Sequence, residues 1–132
     1  MRIKQVLLLC ATFLFLTLNE GAVADDKGRP FVRIAELEID PAQLERFKAA
    51  ATEQIEAAVR VEPGVLALYA VSVKDNPALI RVFEIYVDEA AYRAHLETPH
   101  FKRFREGTND IVKSRKLIDT EPIILAAKRS KS

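Results

Sequence analysis

The sequence has few of the residues that form covalent cross-links or allow tight turns. Its 132 residues include one cysteine, two histidines, four glycines and no tryptophan. The single cysteine, Cys10, lies in an N-terminal apolar run, so a chain that loses this run contains no cysteine. The rest of the chain therefore cannot form disulfides, thiol nucleophiles or cysteine-based metal sites.

The first 24 residues have the organisation of a secretory signal peptide. Arg2 and Lys4 form a positive n-region, residues 6–18 form an apolar h-region, and residues 22–24 form a small-x-small cleavage site. An uncleaved membrane anchor is the alternative, although the apolar run is shorter than the about 20 residues that a spanning helix needs. We expect cleavage after Ala24, export to the periplasm or the cell exterior, and no stable membrane association afterwards.

The charge of the cleaved chain is balanced. The whole chain has 20 basic and 19 acidic residues, and residues 1–24 contain two basic and one acidic residue, which leaves 18 of each sign. A net charge of zero provides no basic field, so we expect no nucleic-acid partner. Without disulfides, a domain of about 100 residues depends on its apolar core, and oligomerisation would enlarge that core.

The apolar patterns predict a single α+β domain over residues 31–128, between a flexible lead-in at 25–30 and a basic tail at 129–132. The β-α-β-β-α-β order corresponds to a ferredoxin-like split βαβ fold. The predicted elements are a strand at 31–39, a helix at 40–62, strands at 65–74 and 79–87, a helix from 88 to about 97, a short helix from 98, an irregular stretch at 107–114 and a strand at 115–128.

Capping signals and prolines set the predicted ends of these elements. Asp40 followed by a proline, with Gln43 three positions later, is typical of a capping box. Thr98 followed by a proline predicts a second helix start. Pro122 in the last strand predicts an edge position or a bulge.

The second and third strands are apolar at almost every position, from Val65 and from Leu79 onwards. Strands with this pattern are covered on both faces. We expect the two strands to form a hairpin, with one face packed on helices of the same chain. The other face then needs a second sheet from another subunit.

Both histidines, His95 and His100, fall in one strand–helix unit that spans residues 79–104. Their separation of five residues, with a proline between them, matches neither a helical metal pair nor a zinc-finger spacing, so we expect no metal site. A neutral imidazole can act as a general base near neutral pH. The alternative for each histidine is an ordinary surface or packing role.

Glu84 is the second candidate, because it lies in an otherwise apolar strand and a buried carboxylate needs a partner. Arg81 or Arg33 can supply that partner in a structural ion pair. Otherwise Glu84 orients a histidine or binds substrate hydroxyl groups. The candidates for binding an aromatic substrate, each of which can instead be a packing residue, are Tyr69, Tyr86, Tyr92, Phe101 and Phe104, together with Arg81.

Three sequence motifs resemble those of the antibiotic biosynthesis monooxygenase (ABM) domain, and the resemblance extends from Phe31 to Lys128. The branch most similar to this chain contains the small bacterial quinol monooxygenases. The motifs are Glu62-Pro63-Gly64 before a strand with Tyr69, Glu84-x-Tyr86-x-Asp88 before Ala91, and His95-x-x-Thr98-Pro99-His100-Phe101-x-x-Phe104.

The resemblance implies a homodimeric α/β barrel in which two ferredoxin-like subunits press their sheets together. It also implies oxidation of a quinol or hydroxylated aromatic by molecular oxygen without a cofactor, with His100 or His95 as base. Tyr86 occupies a position that is usually tryptophan in this family, which argues against a haem-degrading relative. A non-catalytic small-ligand-binding protein and an isomerase of small oxygenated metabolites are the alternatives.

Overall fold

The computed structural model describes residues 28–128, so the predicted signal peptide and basic tail lie outside the described residues. Four strands and three helices follow one another in the order β-α-β-β-α-α-β, which is the predicted ferredoxin-like α+β arrangement with its second helix in two pieces. The elements are β1 (Phe31–Ile39), α1 (Leu44–Val61), β2 (Val65–Val73), β3 (Asn76–Tyr86), α2 (Glu89–Leu96), α3 (Pro99–Thr108) and β4 (Val112–Thr120).

The four strands form one antiparallel sheet in the order β2-β3-β1-β4. The predicted β2–β3 hairpin and the edge position of the last strand are both confirmed. The predicted strand at 115–128 is wrong in its bounds, because β4 begins at Val112 and ends at Thr120. Thr120 pairs with Val32, next to the first residue of β1, so later residues have no partner strand along β1. The predicted irregular stretch at 107–114 instead contains the end of α3 and the start of β4.

The predicted capping box at the first helix is also wrong. Asp40 does cap the chain, but its carboxylate accepts from the backbone N–H of Ala42 at 3.0 Å, and a 3-10 turn at Pro41–Gln43 precedes α1. Gln43 makes no side-chain cap. The other two predicted caps are present. Asp88 accepts from Ala91 N–H, and Thr98 accepts from Phe101 N–H.

The three helices cover one face of the sheet, and the core lies between these two layers in two apolar clusters. The larger cluster joins β1 to the N-terminal half of α1 around Ile39 and Phe47. The smaller cluster joins the C-terminal half of α1 to β2 and β3 around Ala58 and Tyr86. The smaller cluster borders α2, where the candidate site lies.

The opposite face of the sheet carries an apolar row across all four strands. Tyr69 pairs with Phe83, Phe83 with Ile34, and Ile34 with Ile118. Tyr69 is 59% exposed and Phe83 41% exposed, so the single chain leaves this outer face open to solvent. Only one of the two faces predicted to be covered is therefore covered within the chain. Among residues 28–128, none of the helices is long and apolar enough to cross a membrane.

Candidate functional site

A carboxylate from the end of α1 joins the two histidines. Glu62 Oε1 lies 2.9 Å from His95 Nδ1 and 2.5 Å from His100 Nε2. The helix caps explain the meeting. Thr98 starts α3 directly after α2, so His95 in the last turn of α2 and His100 in the first turn of α3 lie side by side. The structure thus places the two histidines predicted from the sequence in contact with the same carboxylate.

The partners of His95 define its tautomer. A carboxylate only accepts hydrogen bonds, so His95 Nδ1 carries a proton and donates it to Glu62. The other ring nitrogen, Nε2, lies 3.1 Å from the side-chain amide nitrogen of Gln54, which donates to it. Glu62 and Gln54 therefore hold a neutral imidazole whose unprotonated atom is Nε2.

His95 is the buried member of the network, with 3% of its surface exposed. Burial lowers the pKa of His95 because it penalises the charged ring, and the hydrogen bond to Glu62 opposes this shift only in part. The side chains of Glu62 and His100 are each 11% exposed. The network therefore has a buried end at His95 and a solvent-facing end at His100.

Glu62 reaches the histidines because the α1–β2 turn passes very close to α2. Glu62 is the C-cap residue of α1, and its N–H donates to Ala58 O at 2.9 Å. A Cβ atom on Gly64 would lie 2.4 Å from Ala91 Cβ, so only glycine fits at this crossing. The sequence Glu62-Pro63-Gly64 thus ends the helix and also positions the carboxylate.

A second polar group lies on the inner face of the sheet at Glu84. The Tyr86 hydroxyl donates to Glu84 Oε2 at 3.0 Å, and Arg33 is the cross-strand neighbour of Glu84. Burial raises the pKa of Glu84, against the opposing effects of the Tyr86 hydrogen bond and the Arg33 charge. Burial also raises the pKa of Tyr86, and the carboxylate of Glu84 raises it further.

Of the two predicted partners of Glu84, Arg33 is the neighbour and Arg81 is not. Arg81 pairs with Glu36 at 3.4 Å, and it lies on the outer face because it is three residues from Glu84 on the same strand. Arg33 also donates to Tyr92 and Asp119. The predicted orientation of a histidine by Glu84 is not observed, because the carboxylate that accepts from the histidines is Glu62.

A cavity of about 90 Å³ lies between the sheet and the helices. Its polar lining includes His95, Gln54 and Glu84, and most of the remaining lining is apolar. A cavity of about 150 Å³ accepts one benzene ring, so a ring can enter here only if lining side chains shift. The predicted site residues that line the cavity are Glu84, Tyr92, His95, Phe101 and Phe104.

The other predicted residues lie elsewhere. Tyr69 and Arg81 belong to the outer face, and Tyr86 is fully buried among packed side chains and does not line the cavity. His100 lines surface grooves next to the cavity rather than the cavity itself. Of the two candidate bases, the geometry therefore favours His95.

Two arginines that the sequence did not single out as site residues also line the cavity. Arg105 comes from α3 and Arg115 from β4. Burial and the nearby charge of Arg105 lower the pKa of Arg115, so the two guanidinium groups are close enough to repel each other. Among residues 28–128 neither arginine forms a salt bridge. They give one side of the cavity a positive charge.

Glu62 and Gln54 were missed as functional residues by the sequence reasoning. Glu62 was assigned only as a helix end within a motif. Gln54 had a detectable signal, because it is a polar residue between Ala51 and Ala58 on the buried stripe of α1. A buried amide on such a stripe needs a partner, and that partner is His95.

Comparisons with known proteins come from both sequence and structure. Residues 30–107 match the sequence profile of the antibiotic biosynthesis monooxygenase family. An uncharacterised protein of Synechocystis is 31% identical over 105 residues, which cover 76% of this chain and 69% of the relative.

Two solved structures are also similar to this chain. A candidate antibiotic biosynthesis monooxygenase from Bacteroides thetaiotaomicron is 47% identical with a TM-score of 0.74, and the alignment covers 77% of this chain and 97% of that protein. Another candidate of the same description, from Nitrosomonas europaea, is 26% identical with a TM-score of 0.69, with 73% and 92% coverage.

Proposed function

This chain belongs to the antibiotic biosynthesis monooxygenase family, and we propose that it oxidises a quinol or a similar hydroxylated aromatic with molecular oxygen, without a cofactor. The observation that carries the proposal is His95, held between Glu62 and Gln54 at the wall of the cavity. Family membership supports the monooxygenase class, and the geometry of His95 supports an acid–base role.

The first step is removal of a phenolic proton by His95. Its Nε2 atom is unprotonated and accepts from Gln54, which also lines the cavity, so the Gln54 amide turns its oxygen toward Nε2 as the proton arrives. When Nε2 takes the proton, the ring becomes an imidazolium, and the Glu62 carboxylate at Nδ1 stabilises the new positive charge. The role proposed for Glu62 is therefore to position His95 and to balance its charge.

The redox step needs no external reductant. The quinolate passes one electron to oxygen, and the resulting semiquinone and superoxide combine to form a carbon–oxygen bond. Cleavage of the oxygen–oxygen bond leaves one oxygen atom on the ring as a carbonyl. The other oxygen departs as water, with the proton from His95 and the hydrogen lost from the attacked ring carbon. In total, one quinol and one oxygen molecule give one hydroxyquinone and one water.

The cationic side of the cavity supports this sequence. The quinolate and superoxide are both anions, and the guanidinium groups of Arg105 and Arg115 can stabilise them in a site that is largely apolar. The tilted rings around His95, among them Phe101 with its centroid 4.7 Å away, favour a flat aromatic substrate.

We further propose export and a homodimer. The outer-face row of Tyr69, Phe83, Ile34 and Ile118 is the surface that would pack against a second sheet. Sedimentation of a Phe83→Glu variant tests the dimer, because a charge at the centre of this row should produce monomers. A wild-type chain that sediments as a monomer at micromolar concentration would contradict the assembly.

Oxygen consumption tests the proposed activity. A chemically reduced naphthoquinone is mixed with the untagged protein in the presence of a metal chelator, and the uncatalysed rate is subtracted. We expect catalysed oxygen uptake and one hydroxyquinone formed per oxygen consumed. Uptake at the uncatalysed rate, together with saturable quinone binding, would instead indicate the non-catalytic binding protein.

A further inference from the structure

We propose that Glu62, His95 and His100 form a binding site for one divalent transition-metal ion of the zinc class. The site is independent of the proposed oxygenase activity, because it depends only on the donor atoms and their positions. The spacing of the two histidines gave no indication of such a site, because the third ligand comes from the end of α1.

The three side chains converge closely enough to share one ion. Each offers one donor atom, and these atoms all lie within 4.8 Å of one another. Zinc bonds to imidazole nitrogen and carboxylate oxygen are about 2.0–2.2 Å long, which places neighbouring donors roughly 3.3 Å apart in a tetrahedron. The present distances from Glu62 to the histidines are 2.9 and 2.5 Å. An ion that replaces the bridging protons therefore requires each Glu62–histidine distance to widen by less than about 1 Å. The two histidine nitrogens, at most 4.8 Å apart, would need to close by no more than about 1.5 Å.

The donor set selects the class of metal. Two imidazoles and one carboxylate suit Zn²⁺, Fe²⁺, Co²⁺ and Cu²⁺, whereas Mg²⁺ and Ca²⁺ prefer sites made of oxygen ligands. Three protein ligands leave a fourth position for water. Among residues 28–128, these three residues are the one group of histidine and acidic side chains with converging donor atoms.

The surroundings supply both an outer support and an entry path. Metal-ligating histidines usually donate their second N–H to a fixed acceptor. With a metal on Nδ1, His95 would donate from Nε2, and Gln54 would rotate its amide to present its oxygen. Glu62 and His100 also line an open surface groove, through which an ion can reach the site.

Metal binding has a consequence for the proposed base. A metal on Nδ1 of His95 moves the remaining proton to Nε2, and Nε2 is the atom that would accept the substrate proton. The metal-bound and catalytic forms therefore exclude each other, and Zn²⁺ should inhibit oxygen uptake.

Titration calorimetry and cobalt absorption spectroscopy test the site directly. Chelator-treated protein without a histidine tag is titrated with Zn²⁺, and separately with Co²⁺ for its visible bands. We expect saturation at one ion per chain, no binding of Mg²⁺, and an affinity lowered at least about 10-fold by Glu62→Gln and by His100→Asn. Gln54→Met should weaken binding by about 10-fold, because it removes only the hydrogen-bond acceptor for His95 Nε2–H and leaves the three ligands in place.

Matched controls separate this site from surface binding. Glu97→Gln removes an exposed carboxylate near the same helix ends and should leave the zinc affinity unchanged. His100 and Glu62 are partly exposed, so their variants should fold, which circular dichroism checks. No saturable zinc binding at about millimolar concentration, or an unchanged affinity in both ligand variants, would overturn the proposal. Neither result depends on whether the protein consumes oxygen.

Discussion

Glu62 and Glu84 are two partly buried carboxylates, one bonded to the cavity residue His95 and the other lining the cavity itself, and their partners give them different chemistry. Glu62 accepts from two imidazoles. Glu84 accepts from the Tyr86 hydroxyl and has Arg33 as its cross-strand neighbour. The comparison teaches that a buried carboxylate acquires a role from the proton affinity of the groups bonded to it.

The difference lies in which partner can exchange a proton near neutral pH. An imidazole exchanges protons there, whereas burial raises the pKa of Tyr86 far above this range. The Glu62 network can therefore transfer protons. The Glu84–Tyr86 pair is a fixed dipole whose Glu84 end lines the cavity and can accept a hydrogen bond from substrate.

Removal of the Glu62–His95 pair gives the largest expected effect. We expect His95→Ala and Glu62→Gln each to lower kcat of quinol oxidation by about 10²-fold or more, because the base or its charge balance is lost. His100 lies outside the cavity, so His100→Asn should change kcat by less than about 10-fold. Steady-state oxygen uptake measures all three variants. A larger loss in His100→Asn than in His95→Ala would reverse the assignment of the base.

A change in the turn that positions Glu62 should reduce stability strongly. Gly64→Ala places a Cβ 2.4 Å from Ala91 Cβ, and we expect a loss of about 1–3 kcal/mol in the free energy of unfolding. Gly107→Ala is the matched control, because its Cβ would have no neighbour within 4 Å. The control should be neutral or stabilising by up to about 1 kcal/mol. Urea unfolding measures the free energy of unfolding of both variants. Equal losses of stability would contradict the close approach of Gly64 to Ala91.

The Glu84 side of the comparison should respond in KM rather than kcat. Glu84→Gln keeps an acceptor for Tyr86 and leaves the Glu62 network intact, so we expect a few-fold change in KM and little change in kcat. Oxygen uptake over a range of quinol concentrations separates the two constants. A fall in kcat as large as that of Glu62→Gln would show that Glu84 belongs to the base.

The smallest expected effect is on the pH dependence of stability. The folded-state pKa of Glu84 is raised above its ordinary value of 4.5, so the folded state binds a proton more tightly than the unfolded state. The stabilisation from Glu84 is present below that ordinary value and is lost as pH rises through the folded pKa. The stability of Glu84→Gln relative to the wild-type protein should therefore rise from about pH 4 upwards. Urea unfolding of both proteins at several pH values measures this difference. A difference that stays constant with pH would contradict the raised pKa.

The fold was predictable because its signals are local. The caps at Asp88 and Thr98 and the apolar strands predicted the element order, and Pro122 predicted the edge position of the last strand. The end of β4 was not predictable in the same way. It depends on where β1 runs out of pairing partners at Val32, and that is a property of the assembled sheet.

The candidate site was predictable only in part, for a related reason. The sequence identified His95 and His100 because histidines are rare in this chain. It assigned the supporting carboxylate to Glu84, which is near them in sequence. The carboxylate that reaches them is Glu62, 33 residues before His95. Close packing at Gly64 brings it there, and no local pattern encodes such a contact.

All members of the Glu62–His95–Gln54 network come from one chain. If two chains associate through their outer faces, each subunit still carries a whole set of reacting groups. A mixed assembly of one active and one inactive chain should then work at half the rate. The total activity would then fall in proportion to the fraction of inactive chains, because an inactive chain does not impair the site of its partner.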